Sequence, residues 1–89
     1  MRVHIIISGY VQGVGFRYFI NKKAFQLGIK GWVKNTPNGS VEVMAEGNEI
    51  DIQTFIEYCK KGPNLASIKD VKINYEELSN EFKNFEVRY

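Results

Sequence analysis

The sequence predicts an α+β fold in the order βαββαβ, two helices packed on one face of an antiparallel sheet of four to five strands. Three observations predict it. Short runs of β-branched residues alternate with polar ones towards both ends of the chain, the period-2 signature of half-buried strands. Two intervening segments repeat apolar residues at helical spacing. Between them, Thr36-Pro37-Asn38-Gly39 joins two extended runs with Pro and Gly where a turn prefers them.

Taken in order, Val3, Ile5 and Ile7 alternate with His4 and Ser8, which gives a first strand over 2–8. Residues 9–15, GYVQGVG, are too rich in glycine to continue a strand and read as a loop. Phe16, Ile20, Ala24 and Leu27 then share one helical face, with Gly28 as the stop, so a helix is expected over about 17–27. IKGWVKN at 29–35 and SVEVMAE at 40–46 form a hairpin with Val41, Val43 and Ala45 inward and Glu42 and Glu46 outward. Ile52, Phe55, Ile56 and Cys59 mark a second helix over 49–61, closed by Lys60-Lys61-Gly62-Pro63. Val71, Ile73 and Tyr75 form a fourth strand, and Phe85, Val87 and Tyr89 a short last one. Two crossovers around a central hairpin make the split-βαβ, ferredoxin-like sandwich. That scaffold hosts many activities, so function has to be read from particular residues.

At 89 residues, folding buries roughly 60–65% of the unfolded surface, enough for one core. A single domain over 1–89 is expected. The longest stretch without a formal charge runs from Val3 to Phe16, short of the roughly 20 apolar residues of a membrane span. The N-terminus carries no secretory pattern, so a cytoplasmic address is expected. One cysteine and one histidine supply neither a disulfide nor a set of zinc ligands, and no cofactor or metal is expected. Twelve Lys and Arg against ten Asp and Glu leave a net charge of +2, without the concentrated basic face that nucleic acid requires. Any anion site must be local.

The loop Val11-Gln12-Gly13-Val14-Gly15-Phe16-Arg17 is where such a site fits. Glycines there permit positive φ and let successive amides converge. The helix that follows adds its unpaired N–H groups and the positive end of its dipole. Arg17 can hold two phosphate oxygens in a bidentate pair. On the loop alone, two readings stand: an anion cradle, or glycines that only shape a turn beside a solvated arginine. Neither standard nucleotide loop pattern fits, because Phe16 follows Gly15 and Tyr18 takes the last position of G-x-G-x-x-G. No Cys, Ser or Thr lies in 9–17, so a covalent phospho-enzyme has no nucleophile there and water is the expected one.

SGYVQGVGFR at 8–17, LGIKGWVKNTPNGSVEV at 27–43 and KKGPNLASIKDVKI at 60–73 together resemble the acylphosphatase family, small enzymes that hydrolyse carboxyl-phosphate mixed anhydrides. The resemblance runs nearly end to end, and its most specific part is VQGVGFR combined with GWV-x-N and the turn after it. It implies a phosphate cradle made by the amides of Gln12, Gly13, Val14, Gly15, Phe16 and Arg17, with the Arg17 side chain on the phosphoryl oxygens. It also implies that Asn35 orients the attacking water, with Thr36 as a possible assistant. On its own, Asn35 reads as turn chemistry. The implied partners are a small acyl phosphate and inorganic phosphate as product and competitive inhibitor, bound by a monomer without nucleic acid or membrane. Asn38 stands where many members carry Asp, with the same turn geometry. With the chain starting at its first strand, the resemblance is expected to be to members of bacterial-type length.

Other residues have plainer expected roles. His4 and Cys59 are expected to be structural, and Trp32, Tyr18 and Phe25 to pack rather than to form a substrate platform. The pairs Lys22-Lys23 and Lys60-Lys61 are expected to be solvated. An RNA-recognition module would need exposed aromatics on the central strands, where this chain offers His4, Ile6, Ser8, Glu42, Met44 and Glu46. A metal chaperone would need a Cys-x-x-Cys loop at 12–15. The remaining alternative is a non-catalytic phosphate-binding or regulatory module on the same fold.

Overall fold

A computed structural model describes residues 1–89. The alternating run at the N-terminus forms β1 (Arg2–Tyr10), the glycine loop leads into α1 (Phe16–Leu27), and the hairpin is β2 (Lys30–Asn35) with β3 (Val41–Glu46). The second helical stripe forms α2 (Glu49–Lys61), followed by β4 (Ser67–Glu76) and β5 (Phe85–Arg88). The strand order is β4-β1-β3-β2-β5. Pairings β1·β3, β1·β4 and β2·β3 are antiparallel, while β5 runs parallel to β2 and makes the five-stranded sheet mixed.

Inward positions of the strands, Val3, Ile5, Ile7, Val33, Val41, Val43 and Ala45, meet Phe16, Ile20 and Ala24 of α1 and Ile52, Phe55, Ile56 and Cys59 of α2 in one core. Phe55 packs edge-on against Phe85 with ring centroids 6.0 Å apart, a geometry aromatic pairs favour. Burial pushes the Cys59 thiol well above its ordinary range, so it behaves as a small apolar filler. No helix is long and apolar enough to cross a membrane.

Besides the parallel β5, which makes the sheet mixed where an antiparallel one was expected, four details depart from the sequence reading. β1 continues through Gly9 and Tyr10, because Gly9 adopts φ 127° at a bulge where the β4 backbone comes close. A Cβ at Gly9 would stand 2.3 Å from the Ser67 carbonyl oxygen, so the glycine permits the strand rather than ending it. Glu46 points to the helix-free face as expected but is buried. Ser79, from the segment after β4, and Arg2 fold over its carboxylate with contacts of 2.9–3.0 Å. Tyr18 and Phe25, expected to pack, are 71% and 86% exposed; they lie off the Phe16–Ile20–Ala24 stripe that faces the core. Finally, α1 begins one residue early, at Phe16.

Polar and charged side chains share the helix-free face with Ile6, Met44 and Trp32. His4 Nε2 lies 2.6 Å from Glu42 Oε2, and Trp32 is flanked by Lys34 and Arg88 at 5.2 and 5.0 Å from its ring.

Candidate active site

The loop between β1 and α1 carries the first half of the site. Gly13 and Gly15 have φ 74° and 79°, a region that L side chains rarely adopt. Gly15 caps α1 in left-handed conformation, and no side chain bonds the first-turn amides. The amides of Gln12, Gly13, Val14 and Gly15 donate to no protein acceptor. A chain turning in this way presents several N–H groups on one side, in line with the helix dipole.

Arg17 follows in the first turn. Its guanidinium lies 4.6 Å from the centre of the Tyr89 ring and donates to the Arg88 carbonyl oxygen at 3.4 Å. Parallel pairing of β5 with β2 brings this about: Lys34 stands beside Arg88, so the end of β5 arrives next to Asn35 and over the helix start. Arg17, Asn35, Gly13, Gly15, Phe16 and Tyr89 line one cleft of about 380 Å³. Arg17 is the one side chain of formal charge among its lining residues, so the cleft favours an anion.

Gln12 and Thr36 are placed otherwise. The Gln12 side chain leaves the cleft wall and donates from Nε2 to the carbonyl oxygens of Thr36, at 2.8 Å, and Ser40, at 2.9 Å. It thereby ties the glycine loop to the turn that follows Asn35. The Thr36 hydroxyl is spent inside that turn: it donates to the Asn38 side-chain oxygen and accepts from the Ser40 amide at 3.0 Å. Val14 packs its side chain into the core, leaving only its backbone for the loop. His4, on the opposite face of the sheet, does not line the cleft. No group of three or more His, Cys, Asp or Glu side chains is placed to hold a metal ion.

The family model described as acylphosphatase matches residues 3–87. The chain belongs to the acylphosphatase family. A curated acylphosphatase from Moorella thermoacetica is 48% identical over 77 residues, covering 86% of this chain and 83% of the relative. Another, from Archaeoglobus fulgidus, is 46% identical over 98% of this chain and 97% of its own length. The crystal structure of acylphosphatase from Bacillus subtilis superimposes with a TM-score of 0.95 at 38% identity, covering 99% and 98% of the two chains.

Within this acylphosphatase-family chain, two features of the site escape sequence reading. One is the Gln12 side-chain brace, since an amide spaced 24 residues from its acceptor has no local signal. The other is the contribution of β5, for which the alternation Phe85, Val87, Tyr89 was a signal of a strand but not of its partner.

Proposed function

We propose that the chain hydrolyses acyl phosphates to a carboxylate and inorganic phosphate by direct attack of water. The enzyme class, a hydrolase of carboxyl-phosphate anhydrides, follows from family membership. The observation that carries the finer mechanism is that Arg17, Asn35 and the loop residues Gly13 and Gly15, whose amides donate to no protein acceptor, line one cleft without a carboxylate side chain.

In this reading the amides of residues 12–17 and the Arg17 guanidinium bind the phosphoryl oxygens. Tyr89 and the Arg88 carbonyl oxygen hold the guanidinium at the cleft wall. Asn35, fixed by the ladder bond register with Val41 and by the braced turn behind it, orients the water in line with the departing acyl oxygen. The bond from the water oxygen to phosphorus forms as the bond from phosphorus to the acyl oxygen breaks. The electron pair leaves with the carboxylate, and a water proton passes to a phosphate oxygen.

The leaving carboxylate has a conjugate acid of pKa about 4, so no proton from the protein is needed at neutral pH. The transition state is loose and spreads charge over the peripheral oxygens, which is what an arginine and converging amides stabilise. The cleft draws on residues from Val11 to Tyr89, so residues 1–89 act as one unit in this reading. We take it to be a cytoplasmic monomer acting on a small diffusible anhydride, consistent with the absence of a long apolar helix and with a cleft closed by one chain.

Hydrolysis of benzoyl phosphate in EDTA, with p-nitrophenyl phosphate beside it, tests the reading. Rapid loss of the anhydride with little ester cleavage is expected. Phosphate binding without turnover would instead make the chain a binding module, and inhibition by EDTA would remove the metal-free step.

A further inference from the structure

A second recess, of about 550 Å³, opens beside the cleft and shares Tyr18 and Asn21 with it. Its floor is built on α1, where Tyr18, Asn21, Lys22 and Phe25 fall at i, i+3, i+4 and i+7 on one helical stripe. Phe85 of β5 forms the facing wall. The stripe begins in the first turn of α1, beside Arg17, and from Tyr18 to Phe25 the helix advances about 10 Å. The phosphate cradle and this recess are thus the two ends of one groove.

The lining has a chemical direction. Near the cleft it offers the Tyr18 ring and the Asn21 amide, and farther along Phe25 and Phe85. Lys22 and Lys30 are its charged members, and none of its nine residues is Asp or Glu. Phe25, 86% exposed, and Tyr18, 71% exposed, contribute little to the core, and large aromatic rings left in water beside a ligand cleft are suited to a ligand.

We propose that this groove is the acyl-group subsite, and that it selects substrates with an extended, apolar or aromatic acyl chain carrying an anionic far end. The inference rests on the reading of the neighbouring cleft as the phosphate site. A phosphoryl group on Arg17 leaves the acyl carbon pointing out past Tyr18, and a two-carbon acyl group ends before Phe25. An aromatic acyl group lies along Tyr18 and Phe25, and a carboxylate beyond it meets Lys30, which follows the C-terminal end of α1.

The test is the kcat/KM series for acetyl phosphate, 3-phenylpropionyl phosphate and 3-(4-carboxyphenyl)propionyl phosphate at low and high salt. The expected order rises along the series. Phe25→Ala should cut the ratio of the phenylpropionyl to the acetyl value about fivefold, the modest range that apolar pocket contacts give. Lys30→Gln should remove the advantage of the carboxyphenyl substrate, as added salt should in the wild type. Equal values along the series, or ratios unmoved by Phe25→Ala, would overturn the subsite while leaving the phosphate reading intact. If none of the three anhydrides were hydrolysed, both would fall.

Discussion

At the scale of single residues, Gln12 shows how a side chain can serve a site without entering it. Its two hydrogen bonds to the Thr36 and Ser40 carbonyl oxygens set the distance between the glycine loop and the turn behind Asn35. Gln12→Leu keeps the loop backbone but cuts that tie and leaves a half-buried gap in hydrogen bonding, a loss of about 1–2 kcal/mol. In steady-state assays kcat should fall about tenfold or more while phosphate inhibition weakens less, because small misplacement of a water-orienting group is costly. Equal losses in both would mean that Gln12 acts only on the phosphate loop. The family resemblance pointed to Arg17 and Asn35 because it covers both motifs, and the two residues line one cleft. The Gln12 brace was not legible in the sequence, since hydrogen bonds between residues distant in sequence depend on where the turn arrives. Tyr18 and Phe25 misled for a simpler reason: their type suggests packing, and only their position off the buried stripe shows otherwise.

At the scale of elements, the hairpin and both helices were legible because each rests on local rules. Asn48 caps α2 by accepting the Asp51 amide at 2.8 Å, Lys60 and Lys61 sit in its last turn, and its span of Glu49–Lys61 is the expected 49–61. The parallel pairing of β5 was not legible, since a four-residue strand carries no mark of its partner. The close approach of β2 and β3 was equally hidden. A Cβ at Gly31 would stand 1.9 Å from the Met44 carbonyl oxygen, with φ 143°, whereas one at Gly13 would meet nothing within 4 Å. Gly31→Ala should therefore cost several times as much stability in urea titration as Gly13→Ala, which bears only the left-handed penalty of about 1–2 kcal/mol. Similar losses for the two would show that the sheet relaxes around the added methyl.

At the scale of the whole molecule, the cluster around Glu46 joins the first strand to the segment after β4. Arg2 reaches Glu46 and Glu76 at 3.0 Å and Glu81 at 2.6 Å, and Ser79 donates twice to Glu46. Desolvation by itself would raise the Glu46 pKa; the Ser79 amide, the Arg2 guanidinium and the Ser79 hydroxyl outweigh it and hold the carboxyl below its usual 4.5. Arg2 and Ser79 hold the Glu81 carboxyl low as well. A carboxyl depressed in the folded state stabilises it above the unfolded value, and that contribution fades as pH falls below about 4.5. Thermal melting should therefore show a steep acid limb, and Glu46→Gln should lower stability at pH 7 by roughly 1–3 kcal/mol while flattening that limb. A limb unchanged in the variant would place the acid sensitivity elsewhere. The central claim concerns the division of labour in the cleft, and comparing Arg17→Ala with Asn35→Ala tests it most directly, with benzoyl phosphate turnover and inorganic phosphate inhibition measured on each in EDTA. Arg17→Ala is expected to lose most turnover and weaken phosphate inhibition together; Asn35→Ala should lose roughly 10²-fold or more in kcat with phosphate inhibition nearly intact. Near-normal turnover in Asn35→Ala, or unchanged phosphate inhibition in Arg17→Ala, would contradict it.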